Sequence, residues 1–587
     1  MQNLSSNWAY DNMLNKKIAE LFNEIADMME LENGERKFEV RAYRKAAVVI
    51  GTMQEDVSEI YRNNGKEGLM EIPGIGTGLA DRIVEYIKTG KMQKYSDYKK
   101  KYPIDFQSLT KLQGMGSKKI FILYTKLGVK NINDLKKVIS SHKIKDLPGF
   151  GEKSERELSK GINLFESSKG RMLLGEALPE AESIIKKLRA SGSVEKAEIA
   201  GSIRRMKETV GDIDILVISD KPEKVMDIAS NLEEVSGIVV KGSTKTTLRL
   251  SMGLTCDIRV LRKNNFGAAM QYFIGSKEHN VKVRQIAIRK GYKLSEYGLF
   301  DKNGKSIAGQ DEAEIYAKLG LEYIEPEMRE DRGEIELAMR NELPKLVKLD
   351  DIKGDLHMHT KHSDGSNTIE EMTKAAMSLG REYIGFTDHS KSEHVAHGMD
   401  EKRVNLYFNE LDKISDKYDN KIKILKSAET DILKDGSLDF NRKTLERMDY
   451  VLGSVHTNLN MSKEDMTKRI LKCINDGIIN IIGHPTDRLI NRREPIRFDM
   501  EKVFQAAKDN GVIMEINSFP DRLDLNDENI LKAKEFNLNF SIDTDSHKTT
   551  DLKFMRYGIG TARRGWLTKS EVINTLPYGK IVKLLNG

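Results

Sequence analysis

Two aspartates in the first half of the chain are spaced for binding divalent metal ions. Asp212 and Asp214 alternate along a predicted strand, so both carboxylates project to the same face. Asp257, on another predicted strand, supplies a third carboxylate. Such a set suits two-metal phosphoryl transfer, in which one ion activates a hydroxyl and the other neutralises phosphate charge. A turn with solvated acids is the alternative, and the preceding pair Gly201 and Ser202 weighs against it.

The second half of the chain carries another candidate metal site, built around histidines. Of the 11 histidines, 9 follow residue 350. Any one of them could be a buried core histidine. Together with acids at the predicted ends of successive strands, however, they predict a cluster, because strand ends converge on one rim of a barrel. The candidate ligands are His357, His359, Asp364, His389, Glu429, His456, His484, Asp545 and His547.

The donor atoms available limit the kind of metal. The chain has 2 cysteines, Cys256 and Cys473, and neither has a Cys-x-x-Cys partner, which excludes a thiolate zinc site and fits a reducing compartment. Nitrogen and oxygen ligands without sulfur suit Mn²⁺, Zn²⁺ or Fe²⁺ and do not choose among them.

Gly-x-Gly hairpins recur in the first 160 residues, each leading into a predicted amphipathic helix. One such hairpin could be an ordinary turn. Three in register, with Lys118 and Lys153 following two of them, favour nonspecific DNA binding through backbone N–H groups at helix starts. Residues 101–160 also hold 13 Lys and Arg against 6 Asp and Glu. The pairs are Gly74 and Gly76, Gly114 and Gly116, and Gly149 and Gly151, and they resemble the helix-hairpin-helix motif.

The elements that must position these residues change along the chain. Short helices are predicted first. From residue 195, strand-like runs with helices between them predict a mixed sheet, and these runs are 197–200, 213–218, 246–252 and 256–261. Residues 311–348 are predicted to form a helical connector. After it, short apolar runs alternate with helices over about 235 residues, which favours a barrel.

Bulk composition is consistent with several folded domains. The 587 residues are 39% hydrophobic and 32% charged, with a net charge of +6. The sequence shows no leader-type start and no apolar stretch long enough to cross a bilayer, so a cytoplasmic protein that makes no membrane contact is expected.

These motifs together resemble a family X DNA polymerase of the bacterial and archaeal type, similar to polymerase beta, with a C-terminal polymerase and histidinol phosphatase (PHP) domain. The resemblance implies a multidomain α/β protein. Its parts are a helical helix-hairpin-helix N-terminal region, an α+β nucleotidyltransferase palm and thumb, and a distorted (β/α)7 barrel. The implied domains are 1–90 (helical DNA-binding), 91–170 (second helix-hairpin-helix region), 171–262 (palm), 263–320 (thumb), 321–349 (linker) and 350–587 (PHP).

The resemblance also assigns roles to the nucleotide and the DNA. Asp212, Asp214 and Asp257 are the implied catalytic carboxylates, with Mg²⁺ as their cofactor. The implied triphosphate contacts are Ser202, Arg205, Gly211 and, on a looser alignment, Arg171. Tyr272, Phe273 and Gly275 belong to the segment that packs on the incoming sugar, and Asn280 and Arg284 match minor-groove contacts to the nascent pair.

In the PHP part the resemblance implies up to three ions. His357, His359, Glu429 and Asp545 would hold one; Asp364, His389 and His547 a second; Glu429, His456 and His484 a third, with Glu429 bridging. Arg563 and Arg564 are candidates for binding substrate phosphate, with a solvated pair as the alternative.

The chain departs from the polymerase-beta pattern at a few positions. Arg82 stands where the lyase lysine is expected, and a protonated arginine cannot act as that nucleophile. Thr255 replaces a basic residue two positions before Asp257, and Lys277 replaces an acidic residue near the nucleotide base.

The function predicted is therefore a DNA-directed DNA polymerase that fills short gaps in repair and carries a 3′ to 5′ exonuclease. Endonuclease action at abasic sites or removal of 3′ phosphates is considered as an additional activity of the second site. The expected partners are gapped or primer-template DNA and dNTPs, bound by a monomer. Two other hypotheses stay open: a small-molecule phosphoesterase or nucleotidyltransferase, and a DNA-binding scaffold with inactive sites.

Overall fold

A computed structural model describes residues 13–31, 37–53, 55–110, 112, 115–167 and 170–585. The chain divides into two compact units near residue 170, and the second unit contains both candidate metal sites. In the described parts of the chain, no helix is long and apolar enough to cross a membrane.

The first unit is helical, with one continuous apolar core along its short helices. Gly74 and Gly149 have φ of 90° and 80°, a left-handed conformation that lets the hairpins turn tightly ahead of the next helix. The helices are α1 (Met13–Met29), α2 (Lys37–Thr52), α3 (Val57–Met70), α4 (Thr77–Thr89), α5 (Gln93–Lys101), α6 (Phe106–Leu109), α7 (Ser117–Leu127), α8 (Ile132–Ser140) and α9 (Glu152–Ser167).

The second unit begins with the predicted palm, a five-stranded mixed sheet in the order β2-β4-β7-β6-β5. Helices α10 and α12 pack on one face of this sheet and α13 on the other. The elements are β1 (Met172–Leu173), α10 (Leu174–Ala190), β2 (Lys196–Ile199), α11 (Gly201–Arg204), β3 (Thr209–Val210), β4 (Asp212–Ile218), α12 (Pro222–Ser230), β5 (Val235–Lys241), β6 (Lys245–Leu250) and β7 (Thr255–Leu261). Helix α13 (Phe266–Ile274) falls within the bounds predicted for the thumb, 263–320.

The predicted thumb follows, and it extends further than the sequence indicates. Residues 321–349 are predicted as a linker, but Leu321, Ile324, Ile335 and Leu346 are buried in the thumb core, so this stretch is part of a folded domain. The elements are α14 (Lys277–Arg289), β8 (Lys293–Ser295), β9 (Gly298–Phe300), β10 (Ser306–Ala308), α15 (Glu312–Lys318) and α16 (Glu334–Arg340).

The C-terminal part is a barrel of parallel strands, as predicted. Strands β13 and β14 are separated by Ser427 and Ala428 alone and form one interrupted strand, which gives seven around the barrel. A parallel bridge between Met358 and Ser546 joins the first strand to the last. The strands are β11 (Gly354–Asp355), β12 (Tyr383–Phe386), β13 (Lys423–Lys426), β14 (Glu429–Asp431), β15 (Leu452–Ser454), β16 (Ile481–Ile482), β17 (Ile513–Asn517) and β18 (Phe540–Asp543).

Helices cover the outside of the barrel, and their apolar faces form its outer core. They are α17 (Ile369–Ser378), α18 (Glu401–Tyr418), α19 (Arg442–Leu445), α20 (Lys463–Asn475), α21 (Met500–Asp509), α22 (Asp527–Lys534) and α23 (Met555–Arg564). Helix α24 (Tyr578–Leu585) instead packs against side chains of the strands, among them Leu452 and Ile481.

Candidate active sites

The three predicted carboxylates of the palm meet at one end of its sheet. Strands β4 and β7 are parallel neighbours, with Asp214 beside Asp257 and Asp212 beside Thr255. Because Asp212 and Asp214 are two residues apart on one strand, their side chains share a face with Asp257. The structure therefore brings together the three groups that the sequence singles out.

Gly201 is required for the packing of this cluster. A Cβ atom at that position would lie 2.3 Å from Oδ2 of Asp214, and the φ of Gly201 is 62°. Any side chain there would displace the central carboxylate and strain the backbone. The glycine thus allows α11, which carries Ser202, to start directly beside Asp214.

The electrostatics of the cluster favour a bound cation. Burial, followed by the charges of Asp212 and Asp257, raises the pKa of Asp214 to about 7. Three converging carboxylates repel one another, and divalent cations between them would relieve that repulsion. The residues present therefore fit the two-metal site predicted from the sequence.

Asp257 has partners that the sequence prediction missed. Oγ1 of Thr247 donates to its Oδ1 at 2.6 Å, and Nζ of Lys245 lies 3.1 Å from its Oδ2. Nη2 of Arg259 is 3.4 Å from the same oxygen. Two cations therefore flank Asp257 although Thr255 stands where the resemblance expects one. Strand β6 supplies Lys245 and Thr247, and only its register with β7 reveals the pairing.

Arg205 and Arg171, two of the predicted triphosphate contacts, are each held by hydrogen bonds to neighbouring residues. The guanidinium of Arg205 donates from Nε to Glu330 at 3.1 Å and from Nη1 to the carbonyl of Ile274. Arg171 donates from Nε to Oγ1 of Thr209 at 2.9 Å, and its Nη1 would be 3.7 Å from a Cβ on Gly211. Arg171, which the resemblance assigns on a looser alignment, thus lies beside Gly211, another predicted triphosphate contact.

The predicted sugar-binding segment ends helix α13. Tyr272 is 36% exposed, and its ring meets that of Phe273 edge-on at 5.0 Å. Asn280 is buried and donates from Nδ2 to the carbonyl of Tyr272 at 2.7 Å. Arg284 is exposed and lies 5.9 Å from the centre of the Tyr272 ring. Gly275 packs against Arg205, whose Nη1 would be 3.2 Å from its Cβ.

The hairpin residues stand at helix starts in the first unit. Gly76 and Gly116 are the N-cap residues of α4 and α7, and Gly151 directly precedes α9. Lys118 and Lys153 are exposed in the first turns of α7 and α9. Gly114 lies outside the described residues.

Glu429 is the centre of the histidine cluster in the barrel. Its Oε2 lies 3.4 Å from Nε2 of His357, 3.6 Å from Nε2 of His359 and 3.0 Å from Nδ1 of His389. Its Oε1 lies 2.9 Å from Nε2 of His484 and 3.2 Å from Nε2 of His456. One buried carboxylate therefore faces five imidazole rings.

Asp545 and Asp364 complete the cluster on either side. Oδ1 of Asp545 lies 3.1 Å from Nε2 of His359. Oδ2 of Asp364 lies 3.3 Å from Nε2 of His547, and its Oδ1 lies 3.7 Å from Nε2 of His389. His389 therefore contacts both Asp364 and Glu429, so it lies between two of the ligand groups that the resemblance separates.

Several donor atoms in this cluster are buried without a hydrogen-bond partner among the residues that the structure describes. They include Nε2 of His357, both ring nitrogens of His359, Nδ1 of His389 and Oε2 of Glu429. Buried polar atoms are normally satisfied, so this group of exceptions fits a site for metal ions. Ligand atoms close enough to share an ion occur in His359, Asp364, His389 and His547; in His357, His359 and Glu429; and in His389, Glu429 and His456.

Two further acids contact histidines of the cluster through the ring nitrogen that does not face Glu429. Oε1 of Glu515 lies 2.6 Å from Nδ1 of His357, and Oδ1 of Asp431 lies 2.9 Å from Nδ1 of His456. A carboxylate on one ring nitrogen fixes the ring and leaves the other nitrogen free for a metal. The sequence prediction missed both acids, although Glu515 stands out as a charged residue in an apolar strand.

Neither role predicted for Arg563 and Arg564 is supported. Arg564 is 4% exposed, and it pairs with Glu330 of the thumb and Asp527 of the barrel. Arg563 pairs with Glu327 of the thumb. Both arginines connect domains within the second unit, so they form neither a solvated pair nor a free phosphate site.

Comparison with known proteins agrees with this layout. Family models match residues 13–92 (helix-hairpin-helix domain), 106–162 (SAM-like helix-hairpin-helix tandem), 269–330 (DNA polymerase beta thumb) and 355–519 (PHP domain). The chain is 36% identical over 565 residues to the DNA polymerase/3′-5′ exonuclease PolX of Bacillus subtilis (strain 168), a match covering 96% of this chain and 97% of that protein.

Shorter relatives match part of the chain. It is 31% identical over 243 residues to a probable phosphatase of Thermoanaerobacter sp. (strain X514), which covers 39% of this chain and 93% of the relative. A probable phosphatase of Acetivibrio thermocellus is 32% identical over 168 residues, or 28% of this chain and 64% of the relative.

Proposed function

Because the chain belongs to the family X DNA polymerases that carry a PHP domain, the family of PolX, we propose that it copies short gaps in DNA and trims 3′ ends. The observation that carries the proposal is the presence in one chain of two separate metal-type sites. The palm offers three carboxylates on adjacent strands, and the barrel offers six histidines and three acids at one rim. A DNA-binding scaffold has no need of either site.

In the palm, Asp212, Asp214 and Asp257 would hold Mg²⁺ ions. In the barrel, we propose the ligand groups His357, His359, Glu429 and Asp545; Asp364, His389 and His547; and Glu429, His456 and His484, for Mn²⁺, Zn²⁺ or Fe²⁺. When bound, the ions at each site would supply activation of the attacking oxygen and neutralisation of phosphate charge.

The chain's own residues would bind and orient the incoming nucleotide. Ser202, Arg205, Gly211 and Arg171 would supply the donors and positive charge that a triphosphate beside the carboxylates needs. Tyr272 and Phe273, with Gly275 behind them, would line the side of the sugar. Asn280 fixes the carbonyl of Tyr272 by its hydrogen bond at 2.7 Å.

Exposed groups would hold the DNA mainly through phosphates. These are the backbone N–H groups at Gly74, Gly76, Gly116, Gly149 and Gly151, with Lys118 and Lys153, and Gly114 by sequence alone. They carry no base-specific information, which suits a repair enzyme acting at any sequence. Arg284, next to the Tyr272 ring, would face the minor groove of the nascent pair.

Selection against ribonucleotides should depend on Tyr272. We expect Tyr272→Ala to raise ribonucleotide incorporation relative to deoxynucleotide by about tenfold, because a smaller side chain leaves room for a 2′-hydroxyl. Single-nucleotide extension with rNTP and dNTP measures the ratio. Tyr297→Ala, at a 63% exposed tyrosine elsewhere in the thumb, is the matched control. An unchanged ratio in Tyr272→Ala would show that the sugar pocket is misplaced.

Lyase chemistry of the polymerase-beta kind should be absent or weak, because Arg82 carries a guanidinium where that chemistry needs an amine nucleophile. Arg82 is partly exposed on α4, and its Nη1 lies 3.3 Å from Glu85. We expect no borohydride-trapped adduct with a 5′-deoxyribose-phosphate end, and a measurable adduct once Arg82→Lys supplies an amine. A strong adduct with the wild type would instead point to Lys45 or Lys88, and Lys→Ala variants at those positions would identify the nucleophile.

One experiment separates the proposed function from its alternatives. Purified protein is incubated with a gapped duplex labelled at the primer's 5′ end, with and without dNTPs, in Mg²⁺ and then in Mn²⁺. Extension with dNTPs and shortening without them are expected. On a second primer that ends in a 3′ phosphate, removal of that phosphate alone would favour the phosphatase activity for which the shorter relatives are named. No change in either DNA would favour a scaffold.

A further inference from the structure

Helix α23 of the barrel packs against the palm loop that follows Arg205. Gly560 and Arg564 are four residues apart, so they lie on the same face of α23. A Cβ on Gly560 would lie 2.5 Å from Cε and 2.9 Å from Cβ of Met206, and the backbone of Met206 has a φ of 54°. The palm loop is thus held in a left-handed turn directly against the barrel.

Arg564 makes the polar contacts of this interface. Its Nη1 donates to Oε1 of Glu330 at 2.8 Å and to the backbone carbonyl of Arg205 at 2.9 Å. Its Nη2 donates to Oδ2 of Asp527, on α22 of the barrel, at 2.7 Å. A side chain that is 4% exposed therefore contacts the palm, the thumb and the barrel.

Glu330 connects Arg564 to the guanidinium of Arg205. The same Oε1 atom accepts from Nε of Arg205 at 3.1 Å, and Oε2 lies 3.7 Å from Nζ of Lys207. Burial alone would raise the pKa of Glu330, but Arg564 and then Arg205 outweigh it and lower the pKa. Glu330 is thus an ionised carboxylate shared between two arginines.

We infer that Arg564 of the PHP domain is a positioning residue of the polymerase site, acting through Glu330 on Arg205. The inference rests on the proposed function, in which Arg205 binds the triphosphate. Arg564 partly neutralises Glu330. Glu330 can therefore orient Arg205 without cancelling its positive charge, which stays available for the nucleotide. Without Arg564, the charge of Glu330 would be shared by Arg205 and, at 3.7 Å, Lys207, and it would compete more strongly with the triphosphate for Arg205.

The expected effect is on nucleotide affinity rather than on chemistry. Arg564→Gln should raise the apparent dNTP dissociation constant about fivefold, a typical coupling within one ion-pair network, and leave the maximal extension rate little changed. Single-turnover gap filling at varied dNTP concentration separates the two quantities. A loss of folded protein would lower the amplitude instead.

Arg563→Gln is the matched control, because Arg563 is the neighbouring arginine on α23. Its Nε donates to Glu327 at 2.9 Å, its Nη1 donates to the carbonyl of Val347 at 3.1 Å, and its Nη2 lies 3.3 Å from Glu325. It spans the same domain contact without touching Glu330. We expect this variant to keep the dNTP affinity of the wild type.

The effect of Arg564 should also depend on Arg205. In an Arg205→Ala background, Arg564→Gln should have no additional effect on dNTP affinity, because the residue through which it acts is gone. Full additivity of the two substitutions would overturn the inference. So would equal dNTP affinities in Arg564→Gln and Arg563→Gln.

The controls distinguish failure of the inference from failure of the proposed function. Wild-type protein that does not extend a primer refutes the proposed function and the inference with it, whereas normal extension with no effect of Arg564→Gln refutes only the inference. Should thermal melts show Arg564→Gln to be unfolded, Glu330→Gln carries the test, because it removes the carboxylate through which Arg564 acts and leaves Arg564 its contact with Asp527. An unchanged dNTP affinity in Glu330→Gln overturns the inference.

Discussion

Replacement of Asp212 and Asp214 by Asn should reduce DNA synthesis by about three orders of magnitude and leave exonuclease activity intact. The double variant removes the charges that would hold both polymerase ions, and a metal contributes several kcal/mol to transition-state stabilisation, at about 1.4 kcal/mol per tenfold in rate. Asparagine keeps the size of each side chain. It also removes a charge that burial and the neighbouring carboxylates already disfavour at Asp214. Primer extension and primer shortening, measured on the same preparation, give the two activities.

The control for this variant is Asp220→Asn, at an exposed aspartate just beyond the other end of β4. It makes the same chemical change and should leave both activities as they are. Thermal melts of all variants must agree before rates are compared. If the Asp212 and Asp214 variant lost hydrolysis as fully as synthesis, the proposal of two independent sites would be wrong.

The palm site could be predicted largely from local sequence signals. Alternation placed Asp212 and Asp214 on one face, and the run from Ile213 to Ile218 marked the strand that carries them. Strand β5 was missed, since Ile238, Val239 and Val240 form an unbroken apolar run at the exposed edge of the sheet and show no alternation. Periodicity thus reveals strands with one buried face better than edge strands.

The barrel site, too, could be predicted only in part from the sequence. Ligands at successive strand ends could be recognised because the βα repeat brings every strand end to one rim. Glu515 and Asp431 could not be found in this way, because their roles depend on which ring they face. Glu515 pairs with His357 across 158 residues of sequence, a distance over which spacing carries no information.

Contacts between domains were the least predictable part of the chain. Residues 321–349 look like a charged connector because Glu327, Glu330 and Glu334 interrupt their apolar residues. In the structure Glu327 and Glu334 are buried and Glu330 is half-buried, and they pair with Arg563, His279 and Arg564, respectively. A charge that is paired across a domain interface has the same sequence signature as a solvated one.

Replacement of His357 and His359 by Ala should have the opposite effect to the aspartate variant, with exonuclease activity reduced by about three orders of magnitude and DNA synthesis retained. Both rings are fully buried beside Glu429 and Asp545, and their Nε2 atoms have no hydrogen-bond partner in the described part of the barrel. Without them, one ion loses half of its proposed ligands. Excess metal should therefore restore exonuclease activity better in the single variants than in the double one. Metal content per folded chain, measured by elemental analysis, should fall together with the activity.

Loss of His357 leaves Oε1 of Glu515 buried without its partner, although Oε2 still accepts from the backbone N–H of His484, and the unpaired oxygen could destabilise the barrel. Burial is the main cause that raises the pKa of Glu515 to about 7, so protonation limits this cost, and His359→Ala alone tests the site without it. His394→Ala is the matched control, because His394 is an exposed histidine of the same barrel outside the proposed ligand groups. Full exonuclease activity in the double variant, with reduced metal content and an unchanged melting temperature, would place hydrolysis outside the barrel cluster. Loss of synthesis as complete as the loss of hydrolysis would instead show that the two reactions share one site.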